Sequence, residues 1–466
     1  MRRDGDRLYV TIAGGDIVRA EAVVLATGHW HPADPLQGAP GYHASPWPAA
    51  RLQDAVCARW LGDGARDRKR VLVLGTYLNA LDAVITLSHR AGRFSEDASG
   101  RLRFDGPESF RLVMASRGGS LPRVWGRAPS LRSPRVLTPE ALRAIAAEQG
   151  FVPLSRCVDL LAREIALEQH GACTLRLPGS GGRPAHRRTG VTTGVLRRRL
   201  AADLRAASGC ADPPSRYADT REVPWQVALF SALPVLSEFT HALSAEDQCD
   251  FDDRLRTAFF HHAMPMTLES ARKIEALFAS GHLETMALGD SYACVPNPQG
   301  VALAYRALDG RQEIQEFTDV VKAHAGPVDI RHHPAPLFQD ALRSGIVQPA
   351  ARGFRDAGSA ERIAANRGTE AIVERGRRPA LVVGGVEVDP VTREVVAADA
   401  GSRGQGDAPI FAMGPLLIGQ FLDAHSIGQL IRDSACILER LASMQGSDGS
   451  QATKGSVPLG FPTGGW

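Results

Sequence analysis

The stretch Arg70-Val71-Leu72-Val73-Leu74-Gly75-Thr76-Tyr77-Leu78-Asn79-Ala80-Leu81-Asp82-Ala83 decides the fold. Four aliphatic residues in succession after Arg70 are what a strand buried on both faces requires. The run stops at Gly75, and Leu78, Leu81 and Ile85 then follow at three- and four-residue spacing, which is helical. Strand, tight turn and helix in immediate succession open a dinucleotide-binding βαβ unit. A glycine at the strand end lets the backbone turn sharply. The helix N-terminus then offers N–H groups and partial positive charge to a pyrophosphate. Ala80 takes the third small position of the fingerprint, where helix and strand pack closely, whereas Tyr77 stands where its second glycine is expected. A buried βα turn without a ligand would satisfy the same pattern.

Downstream, Phe110-Arg111-Leu112-Val113-Met114-Ala115 reads as the second strand of the unit, after a loop over 91–109, and ends in Ser116-Arg117-Gly118-Gly119. That position senses the adenosine ribose: a carboxylate suits the 2′-hydroxyl of NAD, an arginine the 2′-phosphate of NADP. Arg117 therefore favours NADP, with Ser116 as a hydrogen-bond donor to phosphate; the plainer reading of Arg117 is a solvated loop cation. Upstream, residues 7–13 and 16–25 form two strands around Gly14-Gly15-Asp16, a hairpin signal. The second runs into Ala22-Val23-Val24-Leu25-Ala26-Thr27-Gly28. Residues 34–68 read as a Pro-rich connection with a short helix.

Apolar residues recur at helical spacing over 141–148, 157–168, 194–206, 226–243, 251–263 and 268–280, so 138–290 is expected to be mostly helical. Arg187-Arg188 and Arg197-Arg198-Arg199 form a basic cluster best explained as a solvated helix face. His261-His262 and His332-His333 lack metal-ligand spacing. Adjacent side chains diverge on a helix and alternate on a strand, so both pairs read as structural. Residues 301–306 and 312–325 read as strands. The second continues as Asp319-Val320-Val321-Lys322-Ala323-His324-Ala325-Gly326-Pro327, a worn copy of the Ala-Thr-Gly strand. A helix is expected over 337–344, a polar stretch without clear pattern over 351–378, and short strands at 381–383 and 386–388. Pro409-Ile410-Phe411-Ala412-Met413-Gly414-Pro415 is another buried strand ending at glycine, followed by an amphipathic helix over 426–444.

A chain of 466 residues suits two or three domains with sizeable cores. Its 44% hydrophobic and 23% charged residues are ordinary for a soluble enzyme, and a net charge of +3 points to neither nucleic acid nor a membrane surface. Lysine occurs only at 69, 273, 322 and 454. Seven scattered cysteines without a C-x-x-C pair argue against a disulfide framework, a zinc site and a dithiol centre. No secretory signal opens the chain and no run of eighteen apolar residues occurs, so a cytoplasmic protein is expected. G-x-S-x-G, H-E-x-x-H and P-loop lysine motifs are absent, and no side chain is singled out as catalytic.

Four segments in this order, 23–28, 71–83, 113–126 and 410–429, resemble the bacterial FAD/NAD(P)-binding oxidoreductases of the flavin-monooxygenase-like, two-dinucleotide-binding-domain class. The most specific are Ser116-Arg117-Gly118-Gly119-Ser120-Leu121-Pro122-Arg123 and Ala412-Met413-Gly414-Pro415-Leu416-Leu417-Ile418-Gly419. The resemblance implies an α/β chain of two Rossmann-like domains, one FAD-type and N-terminally incomplete, one inserted and NAD(P)-type, with a largely helical middle region. Residues 1–34 would belong to the FAD-binding domain, 69–325 to the NAD(P)-binding domain with its helical insertion, and 326–444 to the return into the FAD-binding domain. Residues 445–466 would be a disordered tail.

By the same resemblance, Gly75, Thr76, Tyr77, Asn79 and Ala80 line the NAD(P) turn, and Ser116 and Arg117 the ribose-phosphate end. Thr27, Gly28, Gly414 and Pro415 pass the flavin. The family opens with a βαβ unit whose G-x-G-x-x-G turn holds the FAD pyrophosphate, and no such unit precedes Val23 here. The implied activity is hydride transfer from NADPH to FAD, and from the flavin to a small-molecule substrate or oxygen, as in a monooxygenase. The alternative is a nucleotide-binding protein without flavin chemistry that acts as a binding or partner module. A homo-oligomer, or a partner chain completing the FAD domain, is compatible with either.

Overall fold

In a computed structural model, which describes residues 1–30, 32–62, 69–126, 131–170, 192–208, 223–289, 291–307, 309–324, 328–398 and 407–445, the quoted stretch is the middle of a five-stranded sheet. Lys69–Leu74 lies between Phe110–Ser116 and Asp319–Lys322; Leu283–Ala287 and Tyr42–His43 form the two edges, and every pairing is parallel. The four aliphatics are buried on both faces, as a parallel strand requires. Val71 and Val73 pack with the helices Leu78–Ala91, Thr193–Ser208 and Leu268–Ala279, whereas Leu72 and Leu74 pack with an antiparallel meander. That meander comprises Tyr292–Asn297, Gly300–Arg306 and Gln312–Phe317, and leads through Thr318 alone into Asp319–Lys322.

A smaller assembly repeats this plan. The meander Arg2–Asp4, Arg7–Thr11, Ile17–Ala20 leads after two residues into Val23–Leu25, which pairs in parallel with Ile410–Ala412. A third sheet, Pro349–Gly353, Arg378–Val386 and Ile372–Arg375, is antiparallel. The helices Pro139–Gln149, Leu154–Glu168, Pro224–Phe239 and Arg256–Ala263 share a core of their own, built from Leu142, Leu161, Ile165, Leu229, Leu233 and Phe259 among others. Two of these helices start at expected signals: the Thr138 hydroxyl accepts from the Ala141 N–H, and Pro224 occupies the first helical turn. Among the described residues, no helix is long and apolar enough to cross a membrane.

The chain is thus α/β, with one Rossmann-like parallel sheet, a second smaller parallel pair and a helical middle. Several segments depart from the sequence reading. Residues 91–109 contain a hairpin, Arg93–Glu96 with Leu102–Asp105, rather than a loop throughout. The connection 34–68 contributes the edge strand Tyr42–His43, and the helical stretch ends in the strand Leu283–Ala287. The polar segment 351–378 folds as strand, helix Gly358–Arg367 and strand. One strand, Arg378–Val386, replaces the two expected at 381–388. Arg197, Arg198 and Arg199 form an exposed face of the helix Thr193–Ser208, as read. Arg187, Arg188 and the tail 446–466 lie outside the described residues.

Candidate nucleotide site at the carboxyl end of the parallel sheet

From Lys69–Leu74 the chain proceeds outward to Phe110–Ser116 and then to Leu283–Ala287, before Asp319–Lys322 inserts on the opposite side of Lys69–Leu74. The order of strands therefore reverses between Lys69–Leu74 and Asp319–Lys322. In open parallel sheets a ligand crevice lies at the carboxyl ends of the two strands flanking such a reversal. Gly75 and Ala323 abut at that point. The Ala323 N–H donates to the Leu74 carbonyl at 2.9 Å, and the Gly75 N–H to the Ala115 carbonyl at 2.6 Å. Gly75 has φ +128°, and a Cβ there would stand 3.3 Å from the Ala323 carbonyl carbon and 3.4 Å from the Ala80 Cβ. Both the dihedral and the crowding call for glycine. Ala80 is fully buried under the turn, and Asn79 is exposed in the first turn of the helix Leu78–Ala91.

Thr76 and Ser116 clasp the ends of the two neighbouring strands. The Thr76 hydroxyl donates to the Ser116 Oγ at 3.0 Å, and the Ser116 Oγ also accepts from the Gly119 N–H at 3.1 Å. This fixes the loop that carries Arg117, whose exposed guanidinium makes no ion pair among the described residues. Tyr77 begins the helix without a side-chain cap. Its ring stacks on His261 at 5.7 Å between centroids, and its hydroxyl donates to the Phe260 carbonyl at 3.3 Å. The phenol that stands in place of a glycine is thus held by the helix Arg256–Ala263, and burial raises its pKa. His262 is engaged separately: its Nδ1 lies 2.7 Å from the Ala258 carbonyl and its ring meets Trp225 edge-on. His333 packs between Trp30 and Phe338.

The far wall of the crevice was not legible in the sequence. The Lys322 ammonium donates to the Asp34 carboxylate at 2.8 Å, and the Tyr42 hydroxyl and the Leu36 N–H donate to the same carboxylate at 3.1 and 3.0 Å. Burial acts to raise the Asp34 pKa, but these three donors outweigh it and the pKa is lowered. Tyr292 Oη and His324 Nε2 are 2.6 Å apart beside them. Lys322 is one of only four lysines in the chain and ends a buried Val-Val pair, which was the available signal. Its partner Asp34 is 288 residues away.

The remaining expected residues gather elsewhere. Thr27 and Gly28 leave Val23–Leu25 beside Gly414 and Pro415, which leave Ile410–Ala412; the Met413 N–H donates to the Leu25 carbonyl at 3.1 Å. Gly28 and Gly414 have φ +75° and +67°. Beyond these turns His29 and His425 stack at 4.8 Å with Nε2 and Nδ1 2.9 Å apart. So the structure forms two groups, Gly75, Thr76, Tyr77, Asn79, Ala80, Ser116 and Arg117 at the large sheet, and Thr27, Gly28, Gly414 and Pro415 at the small one.

His261 and His241 make stability depend on pH. Burial, reinforced by His262 for the first and Arg352 for the second, lowers both to about 4. The Nδ1 of His241 is buried without a hydrogen-bond partner, as befits a neutral ring. Both folded pKa values lie below the unfolded value of about 6.5, so this stabilisation is complete above that pH and is lost as pH falls toward 4. The free energy of unfolding is expected to drop by on the order of 2–4 kcal/mol between pH 7.5 and 5. Urea midpoints across that range check it, and a flat profile would refute it.

No family model matches the sequence. The chain is 24% identical over 335 residues to YdhS of Escherichia coli (strain K12), described as uncharacterized; the match takes in 69% of this chain. It takes in 58% of that protein, so the chain spans less than two thirds of its relative's length. Among solved structures the chain is similar to L-lysine 6-monooxygenase from Pseudomonas syringae, with TM-score 0.44, 12% identity, and 94% and 67% of the two chains covered. It is similar also to the ornithine hydroxylase PvdA from Pseudomonas aeruginosa (TM-score 0.36, 13% identity, 94% and 66% covered). A third is the Kutzneria sp. 744 ornithine N-hydroxylase KtzI, solved with reduced FAD, NADP+ and L-ornithine (TM-score 0.38, 11% identity, 95% and 70% covered).

Proposed function

We propose that this chain binds NADPH at the carboxyl end of its five-stranded sheet, as the nucleotide-binding body of a flavin-dependent, monooxygenase-like oxidoreductase. The observation that carries the reading is the strand reversal between Lys69–Leu74 and Asp319–Lys322, with Gly75 at its apex and Arg117 at the end of the adjacent strand. Bound NADPH supplies a hydride, and a flavin would receive it for delivery to a substrate or oxygen. The residues present suit NADPH. Gly75 gives the tight turn that joins the strand to the helix Leu78–Ala91, the first turn of that helix suits a pyrophosphate, and Arg117 offers a fork for a 2′-phosphate. The Thr76–Ser116 clasp keeps the turn and the Arg117 loop in one geometry.

FAD is suited less fully by these residues alone. Thr27, Gly28, Gly414 and Pro415 form one wall, but among the described residues no strand–turn–helix stands beside Val23–Leu25 to take its pyrophosphate. The second reading is an NADP-binding module without flavin chemistry of its own.

Titration of the purified chain with NADPH and NADH tests the proposal. Arg117→Ala is expected to weaken NADPH binding at least tenfold, about 1.4 kcal/mol or more, and NADH binding less than twofold. No NADPH binding, or equal losses for the two nucleotides, would sink the assignment. A visible spectrum after adding FAD separates the two readings: a flavin band near about 450 nm that NADPH bleaches supports the oxidoreductase. A colourless protein that still binds NADPH supports the module.

A further inference from the structure

The helical body contains a cleft that its own side chains do not close. Three segments wall it. They are the helix Leu154–Glu168, the end of Pro224–Phe239 with the single turn Thr240–Ala242 that continues it, and a π-helical turn, Phe251–Leu255, that runs into Arg256–Ala263. Leu161, Leu243, Phe251, Leu255 and Phe259 are buried and form the floor. Leu154, Val158, Phe239 and Leu422 are partly exposed and form the mouth. The space is about 60 Å³, and a water-sized sphere takes about 10–15 Å³ on the same measure, so about four to six carbon atoms fit.

Protein interiors have few voids larger than a water molecule, and side chains around one lose the contacts that a filled space would give. The wall here resists collapse. The Phe251 and Phe259 rings meet edge-on with centroids 6.0 Å apart. The Arg256 guanidinium lies 5.5 Å from the Phe251 centroid while it pairs with Asp252 at 2.7 Å. The π turn that carries Phe251 and Leu255 takes one more residue per hydrogen-bonded loop than an α-helix, and such turns recur at functional sites.

The polar inventory of the lining decides what kind of ligand suits it. Among the described lining residues, only Cys157 and Thr240 bring polar side-chain atoms. The Thr240 hydroxyl is engaged by the Leu236 carbonyl at 2.8 Å, and burial pushes the Cys157 thiol up to about 12, so it stays neutral. A polar group carried to the floor would lose its water and gain no hydrogen bond in exchange. A saturated carbon chain meets no such penalty and gains by burial.

We propose that this cleft binds the alkyl tail of a small amphiphilic molecule, tail inward and polar head at the mouth. Room for about six carbons at most is too short for the acyl chain of a membrane lipid, so the occupant is a free small molecule. The proposal stands apart from the nucleotide reading, since none of the lining residues belongs to the five-stranded sheet.

The probe is 1-hexanol, titrated into the full chain at millimolar concentration, with 1,6-hexanediol as a control of equal length. A saturable rise in the thermal unfolding midpoint, of about 2 °C or more, is expected with 1-hexanol. The diol should give none, because it would have to bury a second hydroxyl. Saturation transfer from protein methyl protons should be strongest at the terminal methyl of hexanol. Val158→Phe places a ring in the mouth and Cys157→Leu adds carbon at the floor, and each should weaken hexanol binding at least tenfold. No saturable rise, an equal rise with the diol, or an undiminished response in either folded variant overturns the proposal. So does a chain that sediments as a dimer whose cleft residues are already protected from hydrogen exchange, since a second copy would then occupy the cleft.

Discussion

Arg393→Ala is expected to destabilise this protein by on the order of 3–5 kcal/mol, the cost of removing one partner from a buried charge cluster. Arg393 is 1% exposed and reaches two carboxylates from distant parts of the chain. Its Nε donates to Asp433 at 2.8 Å, and one terminal nitrogen donates to both oxygens of Glu238 at 2.8 and 3.0 Å. The other terminal nitrogen donates to the Pro390 carbonyl, and the guanidinium carbon lies 4.1 Å from the centroid of Phe421. Asp433 is fully buried. Without Arg393 its partners among the described residues would be the Gln429 amide at 2.8 Å and the Gly414 N–H at 3.3 Å, too little to hold a desolvated carboxylate. The cluster joins the helix Pro224–Phe239 to the helix Ile427–Gln445, so its loss should loosen the helical body from the small sheet. Chemical denaturation measures the effect. Adding Asp433→Asn to Arg393→Ala should cost much less than the sum of the two single changes, because the uncompensated charge disappears with it. A loss below about 1 kcal/mol for Arg393→Ala, or full additivity, would contradict the account.

Gly419→Ala is expected to cost about 3–5 kcal/mol, by overpacking against rigid backbone together with a left-handed dihedral. Gly419 has φ +84°, and a Cβ there would fall inside the contact radius of the Val383 carbonyl oxygen. The same crossing is tight from the other side, where the Gly385 N–H donates to the Ile418 carbonyl at 2.8 Å. Arg352, itself buried, ties the place down by donating to the Gly419 carbonyl at 2.7 Å. The obstacle is main chain and has no rotamer through which to yield. Gly118→Ala serves as the control, since nothing lies within 4 Å of a Cβ there. It should be near neutral, and a Gly419→Ala protein as stable as that control would show that the crossing can relax.

Where structure follows from local pattern, the sequence could be read. Four aliphatics ending at Gly75, helical spacing across 138–280 and the Val-Val strands are all signals carried by neighbours in the chain. The corresponding strands and helices stand within a few residues of their expected positions. Tyr42–His43 and Leu283–Ala287 left no such trace. The first has two residues, too few for any periodicity, and the second mixes Glu284 and Thr285 with apolar residues because it is an edge. Both become strands because Asp319–Lys322 and Phe110–Ser116 present unpaired hydrogen-bonding edges to them.

The candidate site divides in the same way. Gly75 and Ala80 could be singled out because a close turn and a close helix each impose a residue type at a fixed place along the chain, and Arg117 because it stands where a 2′-phosphate would ask for an arginine. The other wall, with Lys322, Asp34, Tyr42, Tyr292 and His324, is assembled across as many as 288 residues, and no spacing rule connects them. Tyr77 is instructive. Sequence reasoning could only mark a phenol where a glycine was expected, whereas the tertiary structure supplies His261 and the Phe260 carbonyl to hold it. By itself, then, the sequence determined which segments are strands and helices at the centre of the sheet, since backbone geometry and burial periodicity act over a few residues. Only the tertiary structure decided the sheet order and its point of reversal, and the charged cluster around Arg393. Each of these depends on which distant segments meet, and pairing and desolvation between them are set by packing in three dimensions.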